Sequence, residues 1–123
     1  MARPRSPRLT DGEARLMNVL WDKGQATVGE VVEALPSRPA ASYSTVQTLL
    51  RILESKRYLA HEKVGRAFVY RPLVERKQAQ RRALGHLLDR FFSSPTELVL
   101  NVLEDERMDP AELQRLKKLI ERA

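Results

Sequence analysis

At residue 58 the apolar period of this chain changes. Before it, hydrophobic residues recur three and four positions apart; in "YLAHEKVGRAFVYRP", residues 58–72, they alternate around Gly65-Arg66. The first spacing lines one stripe of a helix, and the second lines one face of a strand. A Gly ahead of a second turn residue suits a type II′ hairpin, which needs positive φ at its first central position. Whatever precedes this hairpin must therefore be helical and must pack against one face of it.

Three helices are expected there. In "LTDGEARLMNVLWDKG", Thr10 and Glu13 match a capping box, Leu16, Met17, Leu20 and Trp21 form a stripe, and Gly24 offers a stop. In "ATVGEVVEALP", Thr27 and Glu30 repeat the box, with Val28, Val31, Val32 and Leu35 inward and Pro36 ending the run. After the loop "PSRPAA" comes "SYSTVQTLLRILES", with Ser42 as N-cap and Val46, Leu49, Leu50 and Leu53 on the buried side. Three helices closed by a basic hairpin make the winged variant of the helix-turn-helix plan, placed at residues 9–72. Residues 1–8 read as a disordered basic arm carrying Arg3, Arg5 and Arg8, since Pro4, Pro7 and polar neighbours cannot build a core.

Beyond Pro72 the helical period returns. A helix over 74–92 places Leu84, Leu87, Leu88 and Phe91 on one face. "SPTELVLNVLEDE" opens with Ser94 as cap, Pro95 at the first helical position and Glu97 completing a box; Asp109, Pro110 and Glu112 repeat the arrangement. "LVLNVL" is apolar nearly all round, more than a monomer could hide beside two amphipathic helices. Residues 73–123 are therefore expected to form a helical dimerisation domain of a symmetric homodimer. Its interface would use Leu84, Leu87, Leu88, Phe91, Leu98, Leu100, Val102, Leu103, Leu116 and Ile120. The fold class is thus mainly α with a small β-hairpin: a winged helix-turn-helix followed by a C-terminal helical tail.

Composition narrows the chemistry. No apolar run approaches the roughly 20 residues of a membrane-spanning helix, and no signal peptide is visible, so a cytoplasmic protein without direct membrane association is expected. The chain has no cysteine, which removes thiolate catalysis and Cys-based metal sites. His61 and His86 lack companions for a metal or nucleophilic role, and no Gly-rich phosphate loop exists. We therefore expect no enzyme, cofactor or small-molecule substrate. The net charge is +6, and its placement is uneven. Residues 1–72 hold 12 Lys and Arg against 7 Asp and Glu, while residues 73–123 hold 10 against 9. The basic excess sits in the front of the chain, which favours a polyanionic partner there.

The third helix carries the chemistry of that partnership. Ser44, Gln47, Thr48 and Arg51 fall opposite its apolar stripe, with Thr45 beside them, and no carboxylate occurs between Glu33 and Glu54. Such a face suits a major groove: hydroxyls reach phosphates and bases, Gln pairs bidentately with adenine, and Arg with guanine. A helix N-terminus at Ser42 adds backbone N–H groups for a phosphate. Lys63 and Arg66 flank the hairpin turn and would grip the phosphate backbone. Three readings remain open at this point: a repressor binding double-stranded operator DNA, a winged-helix protein–protein module without an operator, or an architectural DNA binder without operator preference.

Five strings, "LTDGEARLMNVLW", "TVGEVVEAL", "YSTVQTLLRIL", "GRAFVY" and "ELVLNVLEDE", occur in an order that resembles the BlaI/MecI-type penicillinase repressors across residues 9–122. The resemblance implies a dimeric repressor on a dyad-symmetric operator at a resistance or stress promoter, with recognition by Ser44, Thr45, Gln47, Thr48 and Arg51. In antibiotic-responsive members a membrane sensor protease triggers cutting in the tail. The matching bond is Asn101–Val102, with Val where those members carry Phe. The family commonly has Arg at the position of Ile52, and here Arg51 precedes it. It usually has Gly where Arg57 stands. A left-handed backbone there would cost Arg about 1 kcal/mol; alternatively the chain leaves the helix differently.

Overall fold

A computed structural model describes residues 8–35 and 42–122. The loop 36–41 and most of the basic arm lie outside these residues. In chain order the elements are α1 (Asp11–Lys23), β1 (Ala26–Thr27), α2 (Val28–Ala34), α3 (Tyr43–Ser55), β2 (Leu59–Val64), β3 (Ala67–Pro72), α4 (Arg76–Phe91), α5 (Pro95–Leu103) and α6 (Pro110–Arg122). They divide into two compact units, one ending at Arg81 and the other beginning at Arg82.

The capping boxes of α1 and α2 both form. Thr10 Oγ1 accepts from Glu13 N while Glu13 Oε1 accepts from Thr10 N at 2.8 Å, and Thr27 and Glu30 do the same. Each box satisfies two backbone donors that the first helical turn leaves unpaired. In α5 the box is not completed. Ser94 Oγ accepts from Glu97 N, but the Glu97 carboxylate takes the backbone N–H and hydroxyl of Ser93 instead, one residue upstream. In α6, Asp109 Oδ1 caps by accepting from Ala111 N.

The hairpin forms as the alternation demands, with Val64 opposite Ala67 and Gly65-Arg66 between them. Gly65 has φ +62° whereas Arg66 is not in the positive region, the pattern of a type II′ turn. The expected two-stranded wing is in fact part of a three-stranded sheet of order β1-β3-β2. Ala26 and Thr27 pair with Tyr70 and Val69. Two residues carry no readable alternation, so this strand exists only because β3 offers it a free edge.

The core of the first unit is Leu16, Met17, Leu20, Val28, Val31, Val46, Leu50, Leu53, Tyr58, Leu59 and Tyr70, with Val74 and Ala79 joining from beyond the sheet. Leu49, Val32 and Leu35 are only partly buried, on the shoulder of their stripes. Trp21 is also half-buried: its indole N–H donates to Val74 O at 2.8 Å, and the Arg76 guanidinium lies over its ring. Arg76 further bonds Asp22 Oδ1 and Asn18 O, tying the start of α4 to α1.

Among the described residues one charged residue is buried. Glu13 is 1% exposed, and its Oε1 accepts from Lys56 Nζ at 2.7 Å, while Lys56 also donates to Arg8 O. Burial pushes the Glu13 carboxyl up. The Lys56 ammonium and the Thr10 N–H outweigh that and hold it below the ordinary carboxylate value.

Arg57 settles how α3 ends. Its φ is +67°, Tyr58 N donates to Leu53 O and Arg57 N to Glu54 O, which together are a Schellman motif. The contact of Tyr58 with Leu53 that such a motif favours is available, because both side chains are buried. The left-handed position carries an L side chain where glycine would be unstrained. Arg57→Gly is therefore expected to stabilise the unit by about 1 kcal/mol, raising Tm by roughly 4–8 °C in a thermal melt. An unchanged or lowered Tm would mean that Arg57 recovers its strain through other contacts.

In the second unit no described residue is buried. Phe91 is 69% exposed and Ile120 60%; Leu84, Leu87, Leu100, Val102 and Leu116 are also exposed, while Leu88, Leu98 and Leu103 are half-buried. The helix read as 74–92 spans Arg76–Phe91. Among the described residues no helix is long and apolar enough to cross a membrane.

Candidate nucleic-acid interface

Why α3 presents its polar face follows from what it buries. Val46, Leu50 and Leu53 are 0% exposed, so the helix cannot roll, and Ser44, Thr45, Thr48 and Arg51 are left in solvent. Gln47 departs from expectation in being half-buried, near the edge of the packed stripe. Ser44 and Arg51, three and four positions away, are its exposed neighbours on the helix surface.

The hydroxyls at the start of α3 are organised. Ser42 Oγ accepts from Thr45 N at 3.2 Å and donates to Thr45 Oγ1 at 2.8 Å, and it lies 3.3 Å from Ser44 Oγ. Thr48 Oγ1 donates to Ser44 O at 2.9 Å. Ser44, Thr45, Thr48 and Leu49 line a shallow depression of about 240 Å³. No acid stands in the first turn, so the helix dipole meets no carboxylate from the turn itself. A phosphate oxygen or a base edge could replace any of the hydroxyl-to-hydroxyl bonds at little cost, because these donors rotate.

The wing is held to the far end of this helix by a contact that the sequence did not suggest. His61 Nδ1 lies 2.6 Å from Glu54 Oε1, and its ring packs against Phe68 at 4.6 Å and Tyr70 at 5.4 Å between centroids. Glu54 is thereby turned toward the sheet and away from the open face. The readable signal was register: once the hairpin turns at Gly65-Arg66, His61 must pair with Tyr70, and Phe68 is its diagonal neighbour. Buried Tyr70 has its phenol pushed up by desolvation. Beyond this anchor, Lys63, Gly65 and Arg66 are exposed at the tip.

The structure thus brings Ser42, Ser44, Thr45, Gln47, Thr48 and Arg51 onto one helix, and Lys63 and Arg66 onto a hairpin fastened to its end. Arg3 and Arg5 lie outside the described residues. The sequence profile of the penicillinase repressors matches residues 9–122, nearly the whole chain. The chain belongs to the penicillinase repressor family. The penicillinase repressor of Bacillus licheniformis is 31% identical over 94% of this chain and 91% of its own length. Among solved structures, the DNA binding domain of the repressor BlaI is 33% identical, with a TM-score of 0.53 over 63% of this chain and 93% of that one. The monomeric form of Bacillus licheniformis BlaI in complex with the blaP half-operator is 32% identical, with a TM-score of 0.50 over the same shares. For a penicillinase repressor, a mainly helical chain with a small antiparallel sheet and a winged helix is the expected architecture.

Proposed function

We propose that this member of the family is a transcriptional repressor that binds a dyad-symmetric operator as a homodimer. The observation that carries the reading is the acid-free polar face of α3, fixed in solvent by its buried stripe and flanked by a basic wing. Ser42 and the first backbone N–H groups of α3 would hold a phosphate. Ser44, Thr45, Gln47, Thr48 and Arg51 would meet base edges, and Lys63 and Arg66 the backbone beside them. That a relative of similar sequence has been solved on a half-operator supports DNA over a purely protein partner. The bare apolar faces of α4 to α6 support the second copy. Neither role calls for a catalytic group.

A membrane sensor protease enters the proposal as a route of relief. Asn101 and Val102 are exposed on α5, where Asn101 Nδ2 donates to Glu97 O. Cutting between them would divide the helix and detach α6.

Operator binding tests the reading through two variants measured by anisotropy over a salt series. Gln47→Ala is expected to flatten the ranking of operator variants at one base pair, by about 1–3 kcal/mol of discrimination. Lys63→Ala should instead weaken every sequence alike and lower the log–log salt slope by about 0.9 for each protomer bound. A Gln47→Ala ranking identical to that of the unaltered protein would remove Gln47 from the groove. Salt-insensitive, sequence-blind association would overturn the repressor reading altogether.

A further inference from the structure

Glu54 stands where a carboxylate is least favoured on α3. It lies in the last turn, and the negative end of the helix dipole opposes it there. Arg51 is its neighbour one turn back, and Glu54 is the sole acid three or four positions from Arg51. Exposed Arg and Glu at this spacing attract one another. Here they stay apart. Among the described residues Arg51 makes no ion pair or hydrogen bond, and Glu54 holds His61 instead. Arg57, three positions beyond Glu54, has left the helix at positive φ and offers no alternative on its surface.

The diversion is well defined. His61 Nδ1 reaches both carboxylate oxygens, Oε1 at 2.6 Å and Oε2 at 2.8 Å; a carboxylate only accepts, so the ring N–H donates. Phe68 and Tyr70, on the neighbouring strand, hold the imidazole by ring contact. The phenol of Tyr70 is raised first by burial and then by Glu54, and is lowered by Arg51, so both charges share its neighbourhood.

We propose that His61 is a specificity-determining positioning residue: by binding Glu54 it keeps that carboxylate from pairing with Arg51, and so leaves the guanidinium open to a guanine edge in the major groove. The inference deepens the repressor reading and rests on it. Its size is bounded. A bidentate Arg–guanine pair discriminates by roughly five- to 150-fold. Release of Glu54 can withdraw only what an exposed ion pair is worth, about two- to fivefold for each protomer.

The unaltered protein would select duplexes from a randomised pool, and single-base variants of the selected sequence would be ranked by anisotropy. Arg51→Ala identifies the base pair that Arg51 reads. His61→Phe keeps a ring against Phe68 and Tyr70 and removes only the N–H. It should lose about two- to fivefold discrimination per protomer at that base pair and none elsewhere. Glu54→Gln added to His61→Phe should restore the discrimination, since a neutral amide draws the guanidinium far less. A merely structural role for His61 would not be repaired by altering its partner. In the DNA-free protein, the Arg51 Nε–H should exchange with water more slowly in His61→Phe than in the unaltered protein, and recover its rate in the double variant. A His61→Phe ranking equal to that of the unaltered protein, or a loss that Glu54→Gln leaves uncorrected, would overturn the proposal. An Arg51→Ala ranking identical to that of the unaltered protein would overturn it too, leaving the repressor reading to Gln47. If the unaltered protein selects no sequence, the repressor reading falls, and exchange at Arg51 still decides whether His61 keeps the carboxylate away.

Discussion

Lys56→Met is expected to lose about 3–5 kcal/mol of stability, a large part of what a domain of this size possesses. The substitution strands Glu13, 1% exposed, without the ammonium that holds its charge. Desolvation of an unpaired carboxylate then dominates. Adding Glu13→Gln should recover most of the loss, because a neutral amide oxygen can still accept from Thr10 N and no buried charge remains. The pair also sets a pH dependence. Since the folded carboxyl titrates below its ordinary value of 4.5, its contribution is complete above that pH and is lost as the pH falls toward the depressed folded value. The unaltered protein should therefore lose stability below about pH 4.5 more steeply than Glu13→Gln does. Denaturant melts across this range would check both statements. A Lys56→Met midpoint within about 1 kcal/mol of the unaltered protein would mean that water reaches Glu13 after all.

The second large effect concerns assembly. Leu100→Glu combined with Ile120→Glu should convert the proposed dimer to a monomer at micromolar concentration and lower operator affinity by about 10²–10⁴-fold. Leu100 is 54% exposed and Ile120 60% exposed in the single chain, so the charges harm the fold of one copy little. At a two-fold interface each substitution is placed twice, and four carboxylates would have to be buried against apolar helices. Binding to an isolated half-site should persist, since the first unit keeps its own core. Light scattering that finds the doubly substituted protein still dimeric would refute the placement of α5 and α6 at the interface.

Much of this molecule was written locally. The boxes at Thr10 and Thr27, the cap at Ser42 and the turn at Gly65 each involve residues within four positions of one another, and neighbours at that range impose their geometry wherever the segment lies. The polar face of α3 was legible for the same reason: a helical stripe of Val46, Leu50 and Leu53 determines its own opposite side. The box at Ser94 failed because Ser93 supplied a competing hydroxyl and N–H to Glu97, a choice between adjacent donors that composition does not rank.

What the sequence determined by itself was the helical order, the hairpin and the acid-free surface, all consequences of short-range periodicity and capping. Only the tertiary structure decided that Ala26 and Thr27 would become a strand, that Glu13 would be buried against Lys56, 43 positions away, and that His61 would fasten the wing to Glu54. It also showed Arg57 held at positive φ, because the buried Tyr58 must turn from helix to sheet at that point. Such contacts join residues distant along the chain, and their partners are chosen by packing, which brings one edge, one charge or one ring within reach and leaves the others in water.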